Sequence, residues 1–79
     1  MNIEEFRKEL GHRLKVRRTE LGLNQTELAE RIGLTQAYIS QWELGTRAMR
    51  IEQAVVLTQA LNTTLGALVG EDNLSQLEL

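Results

Sequence analysis

What is missing from this 79-residue chain narrows its chemistry before any motif is read. There is no cysteine, which excludes a disulfide framework and a thiolate metal site and fits a reducing cytoplasm. There is one histidine, His12, with no second ligand candidate near it, so we expect no metal and no cofactor. No phosphate-binding glycine loop and no cluster of carboxylates stands out, so nothing assembles an active site and an enzyme is not expected. No proline interrupts the chain, which favours helix throughout. No apolar run approaches the ~20 residues a membrane helix needs. The opening MNIEEFRKEL also lacks the apolar core of a signal peptide, so no membrane is expected among its partners. Basic residues are missing after Arg50: all 9 Lys and Arg fall between Arg7 and Arg50. Glu52, Glu71, Asp72 and Glu78 make the remainder acidic.

What is present is ordinary in bulk, 42% hydrophobic and 25% charged, as in a globular protein of one domain. The organising stretch is Asn24 to Gly45, NQTELAERIGLTQAYISQWELG. Asn24 is a good N-cap, Glu27 lies at capping-box spacing, and Leu23 with Leu28 are placed as a hydrophobic staple. Thr35 repeats the cap, with Leu34 and Ile39 as staple. Gly33 stands between the two patterns, where a sharp turn makes a positive φ cheapest. Two start signals around one glycine, with small Ala29 at the crossing, favour a helix-turn-helix over a plain helical hairpin.

The rest of the chain reads as helix too. A first helix runs from about Ile3 to Leu21, its core face formed by Ile3, Phe6, Leu10, Leu14 and Leu21. Gly11 inside it costs about 1 kcal/mol relative to alanine, which suggests close packing against a neighbour. Helices over about Gln25 to Arg31 and Gln36 to Leu44 bury Leu28, Ala29 and Ile32, then Ile39 and Trp42. That leaves Gln36, Ala37, Ser40, Gln41 and Leu44 as an outward stripe without charge, where a merely solvated face more often carries Lys and Glu. A fourth helix over about Ile51 to Leu61 turns Ile51, Ala54, Val55, Leu57 and Leu61 inward and ends near Asn62. Thr64 caps a short fifth, Leu65 to Val69, stopped by Gly70. Residues 1–70 are expected to form the domain. The tail 71–79, carrying Leu74 and Leu77, is either a frayed end or a turn that docks on something. The net charge of −2 hides a basic N-terminal part, and a local basic face is what counterion release from DNA requires.

The residues LGLNQTELAERIG, then ISQWE and Gly45, resemble the helix-turn-helix of the phage-repressor family, the Cro/cI or XRE type. The similarity spans about Leu10 to Gly70. It implies an all-α, compact five-helix bundle of the lambda-repressor-like kind, whose members bind operator DNA as symmetric dimers and regulate transcription, most often by repression. It places the third helix in the major groove, with Gln36, Ala37 and Gln41 reading bases and Ser40 reaching a base or a phosphate. Gln25 is placed on a phosphate, and Asn24 divides its role between capping and the backbone. Arg47 and Arg50 hold the backbone of the same half-site, Thr35 is a further phosphate contact, and Tyr38 either reaches a phosphate or simply packs. For each of these the plainer alternative is a solvated helix residue. The resemblance also pairs Arg18 with Glu43 in a buried salt bridge of structural rather than DNA-binding role. It places a dimer surface around the fifth helix, with Leu65, Leu68, Val69 and Leu74 as its residues, whose plainer role is core or an apolar tail. The spacing of Trp42 from Ile39 puts that ring in the core. One departure stands out: many members carry a proline shortly after Gly45, where this chain has RAMRI, so Met49 takes up packing instead.

The function so implied is a sequence-specific DNA-binding transcriptional regulator, in the cytoplasm, binding a palindromic operator as a homodimer. Such a chain is either a minimal regulator or the DNA-binding part of a longer one. The alternative is an antitoxin-like or accessory interaction protein whose main ligand is another protein, engaged by the tail.

Overall fold

The computed structural model describes residues 1–71. They form five helices: α1 (Ile3–Glu20), α2 (Gln25–Arg31), α3 (Gln36–Leu44), α4 (Ile51–Ala60) and α5 (Leu65–Val69), with no strand among the described residues. None of these helices is long and apolar enough to cross a membrane. Leu74 and Leu77, with the rest of the tail beyond Glu71, lie outside the described residues.

Local signals place most helix starts. The Asn24 carboxamide accepts from the Glu27 N–H at 2.7 Å, and the Glu27 carboxylate accepts from the Asn24 N–H at 3.0 Å, a complete capping box. Thr64 caps α5 by accepting from the Ala67 N–H at 3.1 Å. Asn2 caps α1 in the same way, accepting from the Glu5 N–H at 2.8 Å. Thr35 occupies the cap position of α3 but makes no side-chain bond there. At α4 the Gln53 side chain accepts from the Arg50 N–H at 2.9 Å; a guanidinium has no acceptor with which to complete the box. Asn62 ends α4 with a φ of 49°.

Leu14, Leu28, Ile39, Leu57 and Leu61 are fully buried and form one cluster with Leu23, Ala29, Trp42 and Leu68. Removing each large side chain from water contributes about 1.5–3 kcal/mol. Leu10, Ile32, Leu34, Tyr38 and Met49 pack around the cluster, so Met49 does take up the place where a proline was missing. Two expected faces are corrected. Ile3 and Leu21 are 48% and 39% exposed, because an 18-residue α1 is about 27 Å long and its ends overhang much shorter partners. On α4, Ile51 and Val55 face outward while Ala54, Leu57 and Thr58 are buried. Apolar residues on nearly every side of Ile51–Ala60 leave its core face undecided by pattern. The buried Thr58 hydroxyl is satisfied by donating to the Val55 carbonyl at 2.7 Å.

α1 and α3 meet backbone to backbone. A Cβ on Gly11 would stand 2.5 Å from the Glu43 carbonyl oxygen and nearer still to that of Trp42. One on Gly45 would stand 2.9 Å from the Lys8 nitrogen. Arg17 ties α1 to the far side of the bundle, donating from Nε to the Leu61 carbonyl at 2.9 Å and from Nη2 to that of Asn62 at 3.0 Å. It thereby places a cation just past the C-terminal end of α4.

Helix propensity alone would make Gly11→Ala stabilising by about 1 kcal/mol. The clash opposes it, and we expect a net loss of about 1–3 kcal/mol, read as a Tm lower by roughly 5–20 °C in a thermal melt. An unchanged or raised Tm would show that the α1–α3 crossing can open without cost.

Candidate nucleic-acid interface

After α2, the Gly33 N–H bonds to the Glu30 carbonyl at 3.3 Å and the Leu34 N–H to that of Ala29 at 2.9 Å. These bonds satisfy carbonyls at the end of α2 and turn the chain back into α3. With Ile39 and Trp42 committed to the core, helical periodicity decides what α3 can show outside. Gln36, Ala37 and Leu44 are exposed, and Ser40 and Gln41 are half-buried at the edge. The stripe carries no charge.

Behind the stripe lies a buried ion pair. Arg18 donates to Glu43 twice, Nε to Oε2 at 2.6 Å and Nη2 to Oε1 at 3.0 Å, in the bidentate geometry that makes such pairs strong. Its Nη1 donates to the Leu23 carbonyl at 2.7 Å. The two side chains are 9% and 4% exposed. Hydrogen bonding to Glu43 raises the Arg18 pKa above its already high ordinary value, against the lowering effect of burial, and the Glu43 charge adds to the rise. A raised cation contributes its stability fully below the ordinary arginine value and loses it only above that, so Arg18 stays charged wherever the fold survives.

The pair reaches the surface through two glutamines. Gln25 donates its amide to Glu43 Oε1 at 3.0 Å, and Gln36 donates its own to Gln25 Oε1 at 2.6 Å. An ionised carboxylate only accepts, so it orients Gln25, and Gln25 in turn orients Gln36. No local signal announces this chain, because Gln25 and Glu43 are 18 residues apart.

A second cluster sits at the other end of α3. Arg47 Nε donates to Gln41 Oε1 at 2.5 Å, and the guanidinium lies 4.2 Å above the Tyr38 ring centroid. Tyr38 in turn meets Trp42 edge-on, 5.8 Å between centroids. The Tyr38 ring therefore packs between Arg47 and Trp42. Asn24 and Thr35 are exposed at the starts of α2 and α3, and Arg50 is exposed at the start of α4. Of the residues expected on an association surface, Leu65 is 37% exposed and Val69 half-buried. Leu68, at 2% exposure, takes the alternative role of a core residue, because it is the residue of this short helix that turns into the bundle.

Two short helices about a tight turn, with an uncharged stripe on the second, define a helix-turn-helix protein. The family model described as helix-turn-helix matches residues 14–68, and the chain belongs to that family, in its phage-repressor, XRE and cI-type form. It is a family of DNA-binding regulators, not of enzymes. The chain is 36% identical over 53 residues, 67% of its length, to an uncharacterised HTH-type transcriptional regulator of Sinorhizobium medicae. It spans 38% of the length of that protein and of the Rhizobium meliloti regulator that it also matches. Among solved structures it resembles the restriction-modification controller protein C.AhdI of Aeromonas hydrophila, with a TM-score of 0.74 at 33% identity over 77% of this chain and 88% of that one. It also resembles the P22 c2 repressor bound to a synthetic operator, with a TM-score of 0.73 at 30% identity over 77% and 92%.

Removing one member of the Arg18–Glu43 pair strands a buried charge, at a cost of about 3–5 kcal/mol. Arg18→Ala and Glu43→Ala should each melt far below wild type, and the double replacement Arg18→Met with Glu43→Leu should melt above either. Wild-type melting of the single variants would show that the pair is not structural.

Proposed function

We propose that this chain is a sequence-specific transcriptional regulator, a repressor, that binds a palindromic operator as a homodimer with α3 in the major groove. The observation that carries the reading is the uncharged α3 stripe. Each of its glutamines is held by a neighbouring side chain, Gln36 by Gln25 and Gln41 by Arg47, and a groove-reading helix needs side chains of that kind. In this reading Gln36, Ala37 and Gln41 meet base edges, and Ser40 meets a base or a phosphate. Asn24, Gln25, Thr35 and Arg50 hold the phosphate backbone and supply position rather than sequence.

One recognition helix reads only a few base pairs, so two half-sites about 34 Å apart supply the missing affinity and specificity. The apolar surface near α5 supports association of two copies. Ile51 and Leu65 are exposed there, beside a groove of about 500 Å³ lined by Phe6, Leu10, Met49 and Val69. Leu68 supports that surface from beneath, and Leu74 falls outside the described residues. The operator-bound P22 c2 repressor, which shares this fold, supports the DNA-binding part of the reading. A cytoplasmic location accords with that role.

Selection of bound sequences from a random duplex pool should return a two-fold symmetric site. Gln36→Ala should then cost about 1–3 kcal/mol at one base pair per half-site, while Arg50→Ala should weaken all sequences alike and reduce the salt slope. Failure to select any site would overturn the reading. Sedimentation should show a dimer on operator DNA, and a strict monomer with and without DNA would overturn the homodimer.

A further inference from the structure

Arg47 stands in a loop that is fastened on both sides of it. The Gln41 carbonyl accepts from the Thr46 N–H at 2.9 Å and from the Thr46 hydroxyl at 3.2 Å, and the Ala48 carbonyl accepts from Trp42 Nε1 at 3.4 Å. Between these ties the guanidinium is held by the Tyr38 ring and by Gln41 Oε1. An arginine free to follow a phosphate has no reason to be anchored at both neighbours and at its head group.

The contact also fixes a polarity. A guanidinium carries donors only, so the Gln41 atom facing it must be the carbonyl oxygen. The Gln41 amide, with its two N–H groups, is then the end left for a ligand. Gln36 is polarised the other way. One of its two N–H groups donates inward to Gln25, one of whose own donates to the Glu43 carboxylate, which leaves Gln36 a carbonyl oxygen beside a second N–H. Guanine presents two acceptors in the major groove, O6 and N7; adenine presents a donor beside an acceptor. A glutamine that has both ends free suits adenine, and one whose oxygen is held elsewhere suits guanine.

Building on the reading of α3 as the base-reading helix, we propose that Arg47 is a positioning residue: it holds Gln41 with its amide outward, so that Gln41 selects guanine while Gln36, held in the opposite sense, selects a base with an exocyclic amino donor. Arg47 thereby sets base preference through another side chain instead of serving as a backbone clamp.

The test is selection from a random duplex pool, followed by binding to the four variants of each chosen base pair, with the wild type, Gln41→Ala, Arg47→Met, Arg47→Lys and the Gln41→Ala/Arg47→Met double variant. Equal thermal melts establish that each variant is folded. Wild type should prefer guanine over adenine at the Gln41 position by about tenfold or more. Arg47→Met keeps an aliphatic stem on Tyr38 and removes the donor. It should erase that preference or turn it toward adenine, at the same base pair that Gln41→Ala alters. Arg47→Lys, which still donates, should keep it. In the Gln41→Ala background, Arg47→Met should leave base preference unmoved. The proposal is overturned if Arg47→Met weakens every sequence by one factor with preferences intact, the mark of a phosphate contact, or if it alters a base pair that Gln41→Ala does not. Absence of any selected site for the wild type would instead overturn the underlying reading of α3, and this proposal with it.

Discussion

The Arg18–Glu43 pair is the interaction on which the remainder depends. It joins the end of α1 to the end of α3, and through the Leu23 carbonyl it holds the turn that leads into α2. The three elements that must keep a fixed relation for α3 to stand at the right height therefore share one buried group. Taking two charges out of water is expensive, and only bidentate geometry with the remaining donors and acceptors filled offsets that cost. Here the filling comes from Leu23 on one side and Gln25 on the other. The same carboxylate that completes the fold thus orients a glutamine at the surface. The buried pair and the exposed end of α3 are thereby coupled by a hydrogen-bond chain a few residues long.

Around that pair, the closeness of α1 and α3 does the positioning. Gly11 and Gly45 let backbone touch backbone at two places, so the crossing has little freedom to slide. Arg17 fastens the other face of α1 to the end of α4. The uncharged stripe is consequently carried on a short helix whose inner side is packed into the core through Ile39 and Trp42.

Much of the fold was legible because it is local. Asn24 with Glu27 and the glycines at helix ends act within a turn or two of chain, where residue identity and backbone geometry are nearly the same statement. The inner faces of α2 and α3 were legible as well, since Leu28, Ala29, Ile39 and Trp42 leave little choice of side. The face of α4 was not: with apolar residues almost all round, only packing into the shared core decides that Thr58 goes in and Val55 stays out. The ends of α1 were misjudged for a related reason, since periodicity says which side of a helix is apolar and not how far its partners extend.

By itself, then, the sequence determined the helix boundaries, the turn at Gly33 and the chemical character of the α3 stripe, because capping, φ preference and helical period act over a few residues. Tertiary structure alone decided what stands behind that stripe. Gln25 and Glu43, or Arg18 and Glu43, are distant in the chain and come within hydrogen-bond reach only once α1, α2 and α3 are packed. Hydrogen-bond polarity at Gln36 and Gln41 is a property of those contacts. A carboxamide in a sequence has two equivalent-looking ends, and only a fixed donor or acceptor beside it settles which one faces out.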